Sequence, residues 1–259
     1  METVLITGAS TGIGYEFAKI FAKHNYNLIL VARNLERLQK VKNELQTNSI
    51  NIHIIAKDLS ISSSVDEINQ ELMDKNLNVN ILINNAGFGF AGPFYELDLK
   101  SQLDMIQVNV NSLVKLTGLI LPSMIKNGYG KIMNVASTAA FQPGPYMAIY
   151  YATKAFVLSF SEALYAELSH KGISVTALCP GPTRTEFQTR AGIEHINLFR
   201  TKFLPYMSAE KVAQIGYKGL MKGKRVVIPG LFNKLGTIAV RFVPKTFVLY
   251  VIKNLNTGD

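Results

Sequence analysis

Between Val4 and Leu178, short apolar runs alternate with longer amphipathic ones. Val4-Leu5-Ile6, Leu28 to Val31, Ile52 to Ile55, Ile81-Leu82-Ile83, Lys131 to Val135 and Ser174 to Leu178 read as strands. Several are apolar at every position, which suits parallel strands covered by helices on both faces. Between them the helical period predicts Gly12 to Lys23, with Ile13, Phe17, Ile20 and Phe21 on one side. Further helices are expected at Leu35 to Leu45, Val65 to Lys75, Leu99 to Asn127 and Tyr150 to His170. A seventh strand is expected within Arg225 to Gly230. This order predicts an α/β fold, a doubly wound parallel sheet with helices on both faces. No repeat, low-complexity tract or linker interrupts the pattern. The expected organisation is one domain, 1–230, followed by an extension, 231–259.

Composition narrows the class. The 259 residues are 48% hydrophobic and 17% charged, enough for a full core and too apolar for a disordered chain. Lys and Arg number 27 against 18 Asp and Glu, a net charge of +9. Such a balance suits nucleic acid, an anionic membrane surface or an anionic ligand. The cations are scattered and no basic aromatic module appears, which argues against nucleic acid. A mean hydropathy of +0.16 leaves an apolar surplus to be located. Cys179 is the single cysteine, so a disulfide framework and a cysteine zinc site are excluded. His24, His53, His170 and His195 lack metal spacing, and no metal is expected. The N-terminus has no cationic segment before an apolar run, and no stretch reaches the ~20 apolar residues needed to span a membrane. A cytoplasmic location is the resulting expectation.

After the first strand comes Thr7-Gly8-Ala9-Ser10-Thr11-Gly12-Ile13-Gly14. A glycine-rich strand-to-helix turn lets backbone approach a pyrophosphate and points helix N–H groups at it. The spacing differs from the GxGxxG fingerprint. At the end of the second strand, an NAD site would place a carboxylate on the ribose. The chain has Val31-Ala32-Arg33-Asn34 instead. Arg33 suits a 2′-phosphate, so NADP(H) is favoured; the alternative is a solvated loop cation. Asp58, ending the third strand, either accepts a bond from an adenine amino group or caps the next turn.

Tyr150 and Lys154 stand one helical turn apart on one face. A phenol titrates near ~10, so acid–base work near neutrality asks for a shift of roughly three units, about 4 kcal/mol. A fixed ammonium and a cationic nicotinamide ring both favour the phenolate. Ser137, after a strand, offers a hydroxyl to hold a carbonyl oxygen beside that phenol. Tyr146 and Tyr151 lack a lysine four residues on, and Tyr151 is expected in the core or a substrate wall.

Together with Asn84-Asn85-Ala86-Gly87 and Asn109, these motifs closely resemble the short-chain dehydrogenase/reductase family, in its branch of about 250 residues, over residues 1 to about 190. The resemblance implies a Rossmann-type fold and hydride transfer between a nicotinamide and a carbonyl or carbinol carbon. It makes Tyr150 the general acid/base and Ser137 the group orienting the substrate oxygen. Lys154 binds the nicotinamide ribose and depresses the tyrosine, and Asn109 holds a water relaying protons. Asn85 shapes a turn near the adenine ribose, with Ala86 beside it, and Gly87 lets the cofactor approach. Pro180-Gly181-Pro182-Thr183-Arg184-Thr185 matches the segment that contacts the nicotinamide amide. Asn111 is the poorer relay candidate.

The C-terminus departs from the short-tailed members, which weakens the tetramer those members imply; a homo-oligomer, such as a dimer, remains the expectation. Residues 231–255 combine many apolar side chains with Lys234, Arg241, Lys245 and Lys253, and Pro244 divides them into two helices. A cap over the site or subunit contact, an interfacial membrane element and a transmembrane hairpin compete as readings. Each half is short for a span. The substrate loop is placed at 186–207, with Phe187, Ile193, Ile196, Leu198, Phe199, Phe203, Leu204 and Tyr206. Phe88, Phe90, Phe94, Phe141 and Tyr146 are expected opposite, giving an apolar pocket for a lipophilic ketone, aldehyde or alcohol. Arg184, Arg190, Arg200 and Lys202 suit an anionic substrate less well than they suit water. A 3-oxoacyl-thioester reductase and a non-catalytic NADP sensor are the alternatives.

Overall fold

The computed structural model describes residues 1–191 and 206–257. Its strands are β1 (Thr3–Thr7), β2 (Asn27–Ala32), β3 (Ile52–Ala56), β4 (Ile81–Asn84), β5 (Gly130–Val135), β6 (Ile173–Leu178), β7 (Thr183–Arg184), β8 (Met207–Ser208) and β9 (Val226–Val227). Its α-helices are α1 (Gly12–Lys23), α2 (Leu35–Leu45), α3 (Ser64–Asp74), α4 (Leu99–Ile106), α5 (Ser112–Asn127), α6 (Ala148–Leu168), α7 (Phe187–Ala191), α8 (Ala209–Met221), α9 (Leu231–Ala239) and α10 (Lys245–Asn256).

The sheet has seven parallel strands in the order β3-β2-β1-β4-β5-β6-β9. Leu5 pairs with Ile29 on one side and Leu82 on the other. Val4 and Ile6 pack with Phe17 and Phe21 of α1, while Leu5, Ile29 and Val31 meet Ile68, Leu116 and Ile120 on the opposite face. Both faces are covered, which is why β1, β2 and β4 read as near-continuous apolar runs. Phe21 and Tyr217 meet edge to face at 5.2 Å, joining α1 to α8. The chain leaves β1 in one direction along the sheet and β4 in the other. Loops above this switch point diverge and leave a crevice at the strand C-termini. The seventh strand is shorter than expected and comprises Val226–Val227 alone.

The single helix expected at Leu99 to Asn127 is interrupted by a π-helical turn at Gln107–Asn111. Taken as a whole, Leu99–Asn127 is long and apolar enough to cross a membrane by length and composition. The expectation that no stretch reaches a membrane span is corrected here, because hydropathy averaged along a helix tolerates the polar residues that break an apolar run. Leu113, Leu116, Ile120 and Met124 are buried along it, so part of the apolar surplus belongs to the core.

A buried polar chain ties the sheet to the helices that carry the site. Asn84 Nδ2 donates to Thr117 Oγ1 at 3.0 Å and to Asn134 Oδ1 at 2.9 Å. Asn134 Nδ2 donates to Ser161 Oγ at 2.9 Å. Removing one member leaves buried donors and acceptors without partners, each costing about 1–3 kcal/mol. Asn134→Ala is therefore expected to lower stability by about 2–4 kcal/mol, read as a lower urea midpoint. An unchanged midpoint would contradict the network's role.

Candidate active site

The crevice is a cavity of about 1230 Å³, lined from Arg33 at one end to Tyr150 and Phe187 at the other. Gly8, Ser10, Thr11, Gly12 and Ile13 line it after β1. So do Asp58, Asn85, Ala86 and Gly87 from the loops after β3 and β4. Ser137, Lys154, Pro180, Gly181, Thr183 and Thr185 complete its wall. Gly14 and Asn109 stand behind that wall.

The turn after β1 is built for a close anionic guest. Gly8 has φ +66°, and a Cβ at Gly14 would run into the Gly8 carbonyl oxygen. Thr11 makes no side-chain cap and the first turn of α1 holds no acidic residue. Its N–H groups and helix dipole thus point into the cavity without a competing carboxylate. Thr7 Oγ1 accepts from the N–H groups of Asn85 and Ala86, both at 3.0 Å. Asn85 Nδ2 donates to Thr7 O at 2.9 Å, so this side chain braces the loop.

Arg33 is exposed at the end of β2, 3.7 Å from Asp58 Oδ2. Asp58 Oδ1 accepts from Ser60 N at 2.9 Å, so the carboxylate caps the following turn. Arg37, in the first turn of α2 and four residues after Arg33, also lines the cavity and donates to Glu186 Oε2 at 2.7 Å. Its i+4 spacing from Arg33 is a signal that sequence reading passed over. These residues fit a dinucleotide: bare helix N–H groups for its pyrophosphate, and cations at the adenosine end.

At the other end, α6 presents Tyr150 and Lys154 on one face. Lys154 Nζ donates to Val135 O at 2.8 Å and lies 5.8 Å from the Tyr150 ring centroid. Ser137 Oγ accepts from Ala139 N at 3.1 Å, which fixes it at the start of a 3₁₀ turn. Burial pushes the Tyr150 phenol up to about 12, with the Ser137 hydroxyl pulling the other way. Burial also pulls the Lys154 ammonium down to about 8. In the protein alone, burial dominates both groups.

Asn109 sits in the π turn. Its Nδ2 donates to Phe88 O at 2.9 Å and to Thr153 Oγ1 at 3.1 Å, and its Oδ1 accepts from Phe88 N at 3.1 Å. A Cβ at Gly87 would lie 3.0 Å from Asn109 Oδ1 and 3.3 Å from Lys154 Nζ, so the three meet. Asn111 is exposed and bonded to Gln107.

The apolar wall differs in part from expectation. Phe88, Phe90 and Phe187 line the cavity. Phe94 is exposed, Phe141 packs beside Val157 and Ala136, and Tyr146 faces a small separate hollow. These three are corrected as wall residues. Tyr151 does line the cavity, and its hydroxyl donates to Asn256 Oδ1 at 3.3 Å. Phe232, Val240, Ile252 and Leu255 bring the C-terminal helices into the wall, which the sequence did not place residue by residue. Arg184 lies 5.8 Å from the Tyr206 ring. Ile193, Ile196, Leu198, Phe199, Arg200, Lys202, Phe203, Leu204 and the side chain of Arg190 lie outside the described residues. Among the described residues no group of three or more His, Cys, Asp or Glu side chains gathers for a metal.

The family description "short chain dehydrogenase" matches residues 2–196. The chain belongs to the short-chain dehydrogenase/reductase family. Short-chain dehydrogenases/reductases act on CH–OH and C=O groups. Among similar members, a very-long-chain 3-oxoacyl-CoA reductase of Rattus norvegicus is 34% identical over 185 residues, 69% of this chain and 58% of its own length. The chain thus matches little more than half of that relative. A sulfoacetaldehyde reductase of Chromohalobacter salexigens is 40% identical over 188 residues, 72% of this chain and 74% of its own length. A short-chain dehydrogenase from Sphingobium yanoikuyae, solved in complex with NADPH, superposes with a TM-score of 0.84 at 33% identity. That superposition covers 96% of this chain and 95% of that one.

Proposed function

We propose that the protein is an NADP(H)-dependent oxidoreductase that interconverts a lipophilic ketone or aldehyde and its alcohol. The observation that carries this reading is the single cavity joining the bare N-terminus of α1 and Arg33 to Ser137, Tyr150 and Lys154. Its reacting end is walled by Phe88, Phe90, Met147, Tyr151 and Phe187, which suits an apolar substrate. The NADPH held by the Sphingobium protein supports the cofactor choice.

Gly8, Ser10, Thr11, Gly12 and Ile13 would cradle the pyrophosphate, and Arg33 the 2′-phosphate. Asp58 and the loop of Asn85, Ala86 and Gly87 would flank the adenosine and its ribose. Pro180, Gly181, Thr183 and Thr185 would hold the nicotinamide end, and Lys154 its ribose. When bound, the dinucleotide supplies or accepts a hydride at its nicotinamide ring and, oxidised, brings positive charge there. Ser137 Oγ would hold the substrate oxygen. Tyr150 Oη would give that oxygen a proton in reduction and take one back in oxidation. Asn109 pins Phe88 to Thr153, and the proton relay through it belongs to this proposal.

A second reading, reduction of a 3-oxoacyl thioester, draws on the name of the Rattus relative. Cofactor oxidation across ketones, aldehydes, sulfoaldehydes and acyl thioesters, each with NADPH and NADH, separates the readings. Turnover of apolar ketones and aldehydes with NADPH is expected. Thioesters as the better substrates would favour the second reading, and no turnover at all a non-catalytic sensor. Arg33→Ala is expected to raise the KM for NADPH roughly 10- to 100-fold, the worth of one charge-assisted phosphate contact, and to leave that for NADH alone. An unchanged NADPH KM would leave Arg33 a solvated loop cation.

A further inference from the structure

The two C-terminal helices carry an outer face that the reaction does not use. Inside, Thr237, Val248 and Asn256 are buried, and Asn256 Nδ2 donates to Pro145 O at 2.9 Å. Outside, Leu231, Leu235, Phe242, Phe247 and Tyr250 are between 54% and 83% exposed. So many large apolar side chains left exposed on two consecutive helices mark an interaction site.

The charge on this face decides what covers it. Lys234, Arg241, Lys245 and Lys253 are exposed here, and no acidic residue occurs between Leu231 and Asn256. Among the described residues, none of the four cations pairs with a carboxylate. Face-to-face pairing of two copies would bring both sets of cations together, since a twofold contact repeats one patch. A surface of acyl chains beneath anionic headgroups meets both features at once: apolar side chains enter the chains and the cations stay at the phosphates.

We propose that α9 and α10 dock the protein on an anionic lipid bilayer. The same helices supply Phe232, Val240, Ile252 and Leu255 to the wall of the cavity. Docking therefore sets the mouth of the cavity beside the lipid, where an apolar substrate partitions. The docking stands without the proposed reaction; the delivery of substrate rests on it.

The test is co-sedimentation of the full chain with vesicles of phosphatidylcholine, with or without phosphatidylglycerol, at low and high salt. It reads binding and not turnover, so it can fail while the oxidoreductase reading holds. Two variants accompany it: Phe242→Ser with Phe247→Ser, and Lys234, Arg241, Lys245 and Lys253 each changed to Gln. All six side chains are exposed, and thermal melts check that both variants fold. The wild type is expected to pellet with the anionic vesicles at least about tenfold more strongly than with neutral ones, and less at high salt. Each variant is expected to lose at least about tenfold of that binding. A wild type left in the supernatant overturns the proposal, as does equal binding to both vesicle types or by all three proteins. A concentration-dependent dimer without vesicle binding, abolished by the two serine changes, would assign the face to a second copy instead.

Discussion

Tyr150→Phe is expected to lower the turnover of any accepted carbonyl by roughly 10³-fold, the middle of the range that a positioned acid contributes. The change removes one oxygen and keeps the ring. The ring's contacts with Phe187, centroids 5.6 Å apart, and with Tyr151, at 6.1 Å, should therefore survive. Binding of NADPH should change little, because its proposed phosphate contacts lie at the far end of the cavity. Equilibrium binding of NADPH and single-turnover reduction measure the two effects separately. The pH profile carries the mechanism further. With the phenol pushed up to about 12, it is protonated throughout the neutral range and stands ready as an acid in reduction. Oxidation needs the phenolate, so its rate should climb with pH from neutral into the alkaline range. That climb should be absent in the Phe variant. Turnover within about tenfold of wild type would move the proton donor elsewhere, with Ser137 the nearest hydroxyl.

The parts of the site that were legible in the sequence are those in which local spacing and three-dimensional neighbourhood coincide. Gly8 to Gly14 form one turn between β1 and α1, and Tyr150 and Lys154 are one helical turn apart. The sheet was legible because several strands are apolar on both faces, which leaves few other folds. Other features depend on contacts between distant segments. The π turn at 107–111 inserts a residue into a helix whose apolar period continues on both sides. Its backbone bond from Ser112 N–H to Gln107 O leaves no local sequence signal, and the turn places Asn109 against Phe88 and Thr153. Nothing in the run Tyr150-Tyr151 says that the second hydroxyl meets Asn256, more than a hundred residues away. The pairing of Arg37 with Glu186 is equally distant. Phe94, Phe141 and Tyr146 were misplaced because aromatic residues near a site serve as core, surface or wall with the same local sequence. Asp58 offered two readings, and the geometry of Ser60 favours the turn.

Lys154→Met should stabilise the cofactor-free protein at neutral pH while removing most of its activity. The ammonium is 5% exposed and is pulled down to about 8 from an ordinary value near 10.5. Below pH 8 the lysine is charged in both folded and unfolded chains, and the folded state bears the full cost of burying that charge. Between about 8 and about 10.5 the folded lysine is neutral and the unfolded one is still charged, so the cost fades. Above that window both are neutral and it is gone. The difference corresponds to about 3 kcal/mol. Methionine fills similar space without the charge but leaves Val135 O without its donor, which returns about 1–2 kcal/mol. The net gain is then about 1–2 kcal/mol at pH 7, shrinking above pH 8 and reversing between about pH 9 and 10. Urea unfolding of both proteins at several pH values measures it. A variant less stable at pH 7, or a difference that ignores pH, would mean that burial does not penalise this lysine. The accompanying loss of turnover should appear both as weaker binding of NADPH, through the proposed ribose contact, and as slower proton transfer, through the charge beside Tyr150. Burial of Lys154 thus lowers the stability of the fold and holds a cation at the site where the proposed reaction needs one.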